Sequence, residues 1–238
     1  MNKSTPALLL YFAASLMYVF SIAFQWDDTF ALLFKPMIFP AIYFYYWQES
    51  KSKPQLMSSL ILLLFFVGDM IILVDSKNLL IPLILLNLFA YSILTFSVTG
   101  DLLKIKNPEI SNLKILTVFT VIAILVSLLY IAMSLVFNAS GSNFGLLMVY
   151  GVVLMLLSVA ILMYYILKNN TASFFVLMTI ICFIISDLFH ILYNYYDHFQ
   201  VFININVCCQ VISFYFLVKY FLHQNHYTSQ LSYDEDDE

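Results

Sequence analysis

Charge is what this chain has least of. Asp, Glu, Lys and Arg together make up 10% of its 238 residues, against about 25% in a soluble globular domain. A soluble body of this length needs a polar skin, and so few charged side chains do not provide one. Arginine is absent, and all ten basic residues are lysines. The tail YDEDDE (233–238) holds five of the fourteen acids, which leaves the rest of the chain nearly neutral. Such a body offers no basic field to hold a nucleic acid.

The signatures of soluble enzymes are missing as well. The chain contains no GxSxG nucleophile elbow, no HExxH zinc helix and no phosphate loop. Its three cysteines, Cys182, Cys208 and Cys209, lie inside apolar runs without metal-ligand or redox spacing and read as small apolar fillers. No cofactor and no metal follow from these residues.

What the chain has in abundance is hydrocarbon, with 63% of its residues hydrophobic. They fall in stretches of about 17–25, the length that crosses about 30 Å of bilayer core at 1.5 Å per residue. Eight such stretches can be drawn, at roughly 7–24, 30–47, 56–74, 78–98, 113–137, 143–167, 172–196 and 200–223. Runs such as LMSSLILLLFFVGDMIILV (56–74) are apolar on all sides, unlike the alternating strands of a membrane barrel. The expected fold is therefore all-α: a polytopic integral membrane bundle of about eight transmembrane helices over 1–224, followed by an acidic cytoplasmic tail over 225–238 that is expected to be disordered. Lys3 before an apolar run and the small residues Ser21-Ile22-Ala23 look like a cleavable signal. The run is long for a signal core and a second span follows almost at once, so the first helix is expected to stay.

With eight alternating spans, Lys3, Lys51, Lys53, Lys104, Lys106, Lys114, Lys168 and Lys219 share the side of the two termini, while Lys35 and Lys77 stand on the other. The positive-inside rule then puts both termini in the cytoplasm. The longest connection, about 99–112 (TGDLLKIKNPEISN), contains Gly100 and Pro108 and is expected to be a cytoplasmic loop between helices 1–4 and 5–8 of one compact bundle. Pro36, Pro40 and Pro82 are expected near the outer ends of helices 2 and 4, where a missing amide costs least, with Pro40 bending helix 2. Seventeen tyrosines and two tryptophans suffice for interfacial belts, Trp26 and Trp47 flanking helix 2.

Against this background a few polar residues need a reason. Asp69, after Gly68 in helix 3, and Asp187, after Ser186 in helix 7, sit at matching depths in the outer half of the bundle. An ionised carboxylate in hydrocarbon costs several kcal/mol, so both are expected to face the interior or a wet cavity as acid, base, ion ligand or substrate contact. The bland alternative is an interhelical hydrogen bond. Lys35 can snorkel to the interface, or its ammonium can meet a carboxylate or a lipid phosphate. His190 and Asn194 share a helical stripe with Asp187, and Asn87, Tyr91 and Tyr150 supply donors on neighbouring helices; Asn204 and Asn206 stand at the start of helix 8.

Lys35-Pro36 in helix 2, Gly68-Asp69 in helix 3, Phe89-Ala90 in helix 4, Tyr150 in helix 6 and Phe183 through Ser186-Asp187 in helix 7 run in order along most of the chain. In these motifs, and in its count of about eight helices, the sequence resembles the YhhN family of membrane proteins, which includes the lysoplasmalogenases. It departs from the family at Tyr91, where a histidine is usual, and at Lys219 in YFLVKYF, where a glutamine is usual. The resemblance implies hydrolysis of the vinyl ether bond of a lysoplasmalogen or related lysolipid to an aldehyde and a glycerophospho-head-group product. Its site would use Asp69 and Asp187 as the acid/base pair, Lys35 on the phosphate, and Tyr150, Asn87, Tyr91 or His190 to orient water or substrate, with no cofactor or metal. The expected partner is a membrane lipid or lysophospholipid, and the expected location a bacterial inner membrane. Two other classes remain: a proton- or cation-coupled transporter or lipid-binding protein, which broken helices would favour, and an assembly protein, which a packed interior without a cavity between helices 3 and 7 would favour.

Overall fold

The computed structural model describes residues 4–50, 54–73, 80–105, 111–137 and 144–235, from 225 onward as backbone alone. Among these residues there are eight helices and no strand: α1 Thr5–Ala23, α2 Asp28–Glu49, α3 Leu56–Leu73, α4 Leu80–Leu103, α5 Asn112–Phe137, α6 Phe144–Lys168, α7 Thr171–Tyr195 and α8 Gln200–Glu235. Seven are long and apolar enough to cross a membrane, and α3 is apolar over Leu56–Ile71. The chain is thus a polytopic helical membrane bundle. Long apolar runs fold this way because only a helix satisfies every backbone amide within its own segment once water is gone.

The helices of the two halves interleave. α7 packs along α8, α1 against α2, α4 against both α3 and α6, and α8 returns to touch α1 and α2. α5 rests on α6 and α7 at the edge of the bundle and buries just Leu125, Ala132 and Val136. At the end that holds Ser4 and Gln224, the Ser4 hydroxyl donates to the Glu49 carboxylate and Lys219 Nζ donates to Tyr45 Oη at 2.6 Å. At the opposite end Gln200 Nε2 donates to the Ile22 carbonyl at 2.6 Å.

Three expectations change. α4 does not stop near 98 but runs through Gly100 to Leu103. Its last turn is held by Asp101, whose Oδ2 accepts from Gln224 Nε2 at 2.6 Å and Tyr220 Oη at 3.4 Å, both on α8, while Lys104 Nζ stands 3.1 Å from Oδ1. Pro36 and Pro40 lie inside α2, as its ninth and thirteenth residues, rather than near its first turn. Asp27 caps it, accepting from the Thr29 amide at 3.1 Å and the Thr29 hydroxyl at 2.9 Å, and these bonds hold the Asp27 carboxyl below its ordinary range. Each proline frees the carbonyl four residues before it, yet α2 continues through both. Finally, the helical backbone of α8 continues to Glu235, through most of the tail expected to be disordered. That stretch contains no Gly or Pro to stop a helix already nucleated upstream. Lys3, Lys51, Lys53, Lys77, Lys106 and Pro108 lie outside the described residues.

Trp26 and Trp47 stand exposed at the two ends of α2, as interfacial anchors do. The seating of α5 depends on Gly151 of α6, where an added Cβ would meet Leu129 Cδ1 at 2.5 Å; around Gly100 a Cβ would meet nothing. Gly151→Val is therefore expected to push α5 outward and cost about 1–3 kcal/mol. Gly100→Ala, which removes a flexible residue from a helix, should leave stability unchanged or raise it by up to about 1 kcal/mol. Thermal unfolding of the detergent-purified variants checks both.

Candidate functional site

Gly68 precedes Asp69 on α3, and its missing side chain matters: a Cβ there would lie 3.2 Å from Asn87 Oδ1 of α4. The glycine thus lets α4 bring Asn87 alongside the carboxylate. Asp69 is 6% exposed and Lys35 of α2 is 4% exposed, with Lys35 Nζ 3.8 Å from Asp69 Oδ1. The same oxygen accepts from Gln210 Nε2 of α8 at 2.8 Å. Lys35 Nζ also stands 5.5 Å from the centre of the Tyr18 ring on α1. Of the three fates open to Lys35, the structure selects the carboxylate, and the side chain lines neither of the cavities described below.

Asp187 of α7 is met differently. Tyr150 Oη of α6 donates to its Oδ2 at 2.7 Å and Tyr91 Oη of α4 donates to the same oxygen at 3.3 Å. Both tyrosines are fixed by rings: Tyr91 lies 5.5 Å from Tyr150, 5.3 Å from Phe183 and 5.6 Å from Phe65, centre to centre. Aromatic contacts at these separations add to burial and leave the phenols little freedom to swing away.

The two aspartates line one small cavity of about 30 Å³, together with Asn87, Tyr91, Ser186, Gln210 and the rings of Phe65, Phe183 and Phe214. Beside it opens a cavity of about 890 Å³, which Asp187 also lines and Asp69 does not. Its apolar walls come from α4, α5 and α6, with Leu83, Leu125, Leu129, Leu147, Leu154 and Met155 among them. Its polar side is a stripe on α7, where Ser186, His190 and Asn194 recur every four residues on one face, with Asn206 of α8 opposite. Ser186 Oγ donates to Asn206 Oδ1 at 2.7 Å, Asn206 Nδ2 lies 3.3 Å from His190 Nδ1, and Asn194 Nδ2 lies 3.2 Å from His190 Nε2. The stripe runs from Asp187 toward the end of α7 and faces apolar side chains at the same level, Leu83, Met133 and Leu147, while Leu125, Leu154 and Met155 continue the cavity deeper into the bundle. Asp187 stands at the inner end of the stripe.

Compared with protein-family models, curated proteins and solved structures, the chain matches none. Its chemistry has to be read from its own side chains.

Of the residues singled out from sequence, Asp69, Asp187, Asn87, Tyr91 and Tyr150 are brought together, and His190, Asn194 and Asn206 continue the same polar surface. Tyr91, one of the two departures from the resembled pattern, occupies a hydrogen-bonding place on Asp187. Lys219, the other, stands away from the site against the rings of Tyr45 and Tyr215, and the α8 glutamine that reaches Asp69 is Gln210. Asn204 accepts from Gln200 at 3.4 Å and lines neither cavity. Gln210 and Tyr18 were not foreseen. A carboxamide inside the run VCCQVISFYF was a usable signal, whereas one tyrosine among seventeen was not. Among the described residues no three of His, Cys, Asp and Glu gather closely enough to hold a metal ion.

The Lys35–Asp69 pair predicts non-additive mutants. Lys35→Met leaves a buried carboxylate without its cation and should cost about 3–5 kcal/mol. Adding Asp69→Asn removes the charge as well and should recover most of that loss, since pairs in one network do not add. Denaturation of the two single variants and the double variant gives the coupling; simple additivity would show that the pair does not interact.

Proposed function

We propose that the chain is a membrane-embedded hydrolase of single-chain ether lipids, cleaving the vinyl ether bond of a lysoplasmalogen or related lysolipid to an aldehyde and a glycerophospho-head-group product. The observation that carries the proposal is the position of Asp187 at the inner end of the polar stripe of the large cavity, beyond which Leu125, Leu154 and Met155 continue it, with Asp69 behind it. An amphiphile lying in this cavity sets its head along Ser186, His190, Asn194 and Asn206 and its chain between α4, α5 and α6. Its head–chain linkage, the bond to be broken, then falls beside Asp187. The resemblance to the YhhN family in Gly68-Asp69 and Ser186-Asp187 points the same way.

Each carboxyl group has one task. Asp187 borders the lipid cavity and delivers the proton to the enol ether carbon, creating an oxocarbenium-like cation. Asp69, reached only through the small cavity, takes the proton of the water that adds to it. Tyr91 and Tyr150 hold Asp187 in line, and Lys35 and Gln210 hold Asp69. Because Lys35 is engaged with Asp69, head-group contacts fall to the His190–Asn194–Asn206 surface. A positioned acid or base is worth about 10²–10⁴-fold in rate.

The competing reading, a proton- or cation-coupled transporter, has in its favour the same two acids deep in the bundle. Continuous helices through both acids and a carboxylate already paired with a lysine favour hydrolysis. The lysine distribution adds that both termini face the cytoplasm, which sets the polar end of the cavity in the outer half of a bacterial inner membrane.

Purified wild type incubated with lysoplasmalogen is expected to release aldehyde, followed by mass spectrometry. Asp69→Asn and Asp187→Asn should each lose about 100-fold or more of that rate while keeping a folded elution profile. Normal turnover by either variant would sink its assignment, and no turnover by a folded wild type would move the reading to transport or binding. Reporter fusions at residues 1 and 238 should both report the cytoplasm; a periplasmic signal from either would reverse the orientation.

A further inference from the structure

We infer that the small cavity between Asp69 and Asp187 is a binding site for the single hydrolytic water, and that its walls exclude any larger nucleophile. The inference rests on the hydrolase reading above and adds where the second substrate sits. A cavity of about 30 Å³ has room for the hydrolytic water and at most one or two more, since one needs roughly 10–15 Å³ measured with a water-sized probe. Room alone is not enough, because a buried water also needs two to four polar partners. Six of the nine lining residues are polar: Asp69, Asn87, Tyr91, Ser186, Asp187 and Gln210.

The other three lining residues set the size. Phe65, Phe183 and Phe214 come from α3, α7 and α8 and pack ring against ring, with centres 5.3 Å apart for Phe65–Phe183, 5.7 Å for Phe65–Phe214 and 6.2 Å for Phe183–Phe214. All three are buried, so the pocket does not grow by swinging one ring into open space. Its way out leads past Asn87, Ser186, Asp187 and Gln210, which line both cavities. A water in the small cavity therefore faces a cation formed in the large one across a short neck, with the base Asp69 at its back.

The atoms balance without a co-reactant. The Asp187 carboxyl proton goes to the outer vinyl carbon, whose new C–H bond takes the π pair of the double bond, and the carbon bearing oxygen becomes the cation. The water oxygen bonds to that carbon and its proton passes to the Asp69 carboxylate. In the hemiacetal so formed, Asp69 passes its proton to Asp187, which delivers it to the head-group oxygen as that C–O bond breaks; the hydroxyl proton goes to Asp69 as C=O forms, and that proton then returns to Asp187. Both carboxyl groups end as they began.

An alcohol competing with water tests the confinement. In an open site 1-propanol traps the cation in proportion to its share of the solvent, giving a stable mixed propyl acetal. With purified full-length protein and lysoplasmalogen in a water–propanol mixture, wild type is expected to give aldehyde with no detectable acetal, and Phe214→Ala to give acetal. Mixed acetal from wild type in proportion to the propanol present overturns the inference while leaving the hydrolase reading intact. Should wild type show no turnover at all, the hydrolase reading fails and a high-resolution map of the ligand-free protein decides the water site. One ordered peak within hydrogen-bonding reach of both Asp69 and Asp187 supports the site, and none there overturns it.

Discussion

A carboxylate inside a hydrocarbon-spanning bundle has no water to turn to, so it must be satisfied by side chains carried on other helices. Asp69 draws Lys35 from α2 and Gln210 from α8 onto α3, and Asp187 draws Tyr91 from α4 and Tyr150 from α6 onto α7. Six of the eight helices are thereby tied to one of two oxygens. Apolar side chains give little direction to helix association in a bilayer, because lipid tails are as apolar as leucine. Small residues and polar contacts supply the direction instead. Gly68 lets α3 and α4 approach beside Asn87, and the Asp101–Gln224 contact repeats the device at the opposite end of α4. Of the remaining two, α1 sets the Tyr18 ring 5.5 Å from Lys35 Nζ, and α5, which has no part in these ties, lies at the edge.

The same constraint separates the two acids. Asp69 spends one oxygen on an ion pair and a carboxamide, which fixes its place but removes it from the large cavity. Asp187 accepts two phenolic hydrogen bonds on one oxygen, Oδ2, and borders the large cavity. The difference is geometric before it is chemical: one group faces a lipid-sized space, the other a water-sized one. That asymmetry is what makes the arrangement suit a reaction in which a proton and a water arrive separately at one bond.

How much of this the sequence made legible follows from which forces act locally. Span positions came out within a few residues because bilayer thickness fixes helix length, and hydropathy reports it directly. Asp69 and Asp187 stood out because the cost of a charge in hydrocarbon needs no knowledge of neighbours. What stayed hidden was set by partners far along the chain. α4 outruns its hydropathy because Gln224 and Tyr220, over a hundred residues later, hold Asp101. Lys35 could be assigned three fates until Asp69, on another helix, came within 3.8 Å. Pro36 and Pro40 are carried inside α2 by the apolar run on either side of them, which local proline rules do not weigh. Neither cavity was legible, since the large one is the space left by six helices and the small one by four, and no residue encodes either alone.

On the proposed reading, in which the substrate is a lipid, its origin bears on selectivity. Burying a chain taken from water is favourable by roughly 0.8 kcal/mol per methylene, but a lipid entering from the bilayer exchanges one hydrocarbon surrounding for another and gains little of this. Leu83, Leu125, Leu147 and Leu154 would therefore accept such a chain without strongly choosing one. Discrimination has to come from polar groups, because a buried amide or hydroxyl left without its partner costs about 1–3 kcal/mol. In this bundle such groups line the large cavity along one stripe, from Ser186 through His190 to Asn194 with Asn206 beside it. A head group that fails to meet them leaves carboxamides unpaired in a low-dielectric wall, so recognition is concentrated on the face that also carries Asp187.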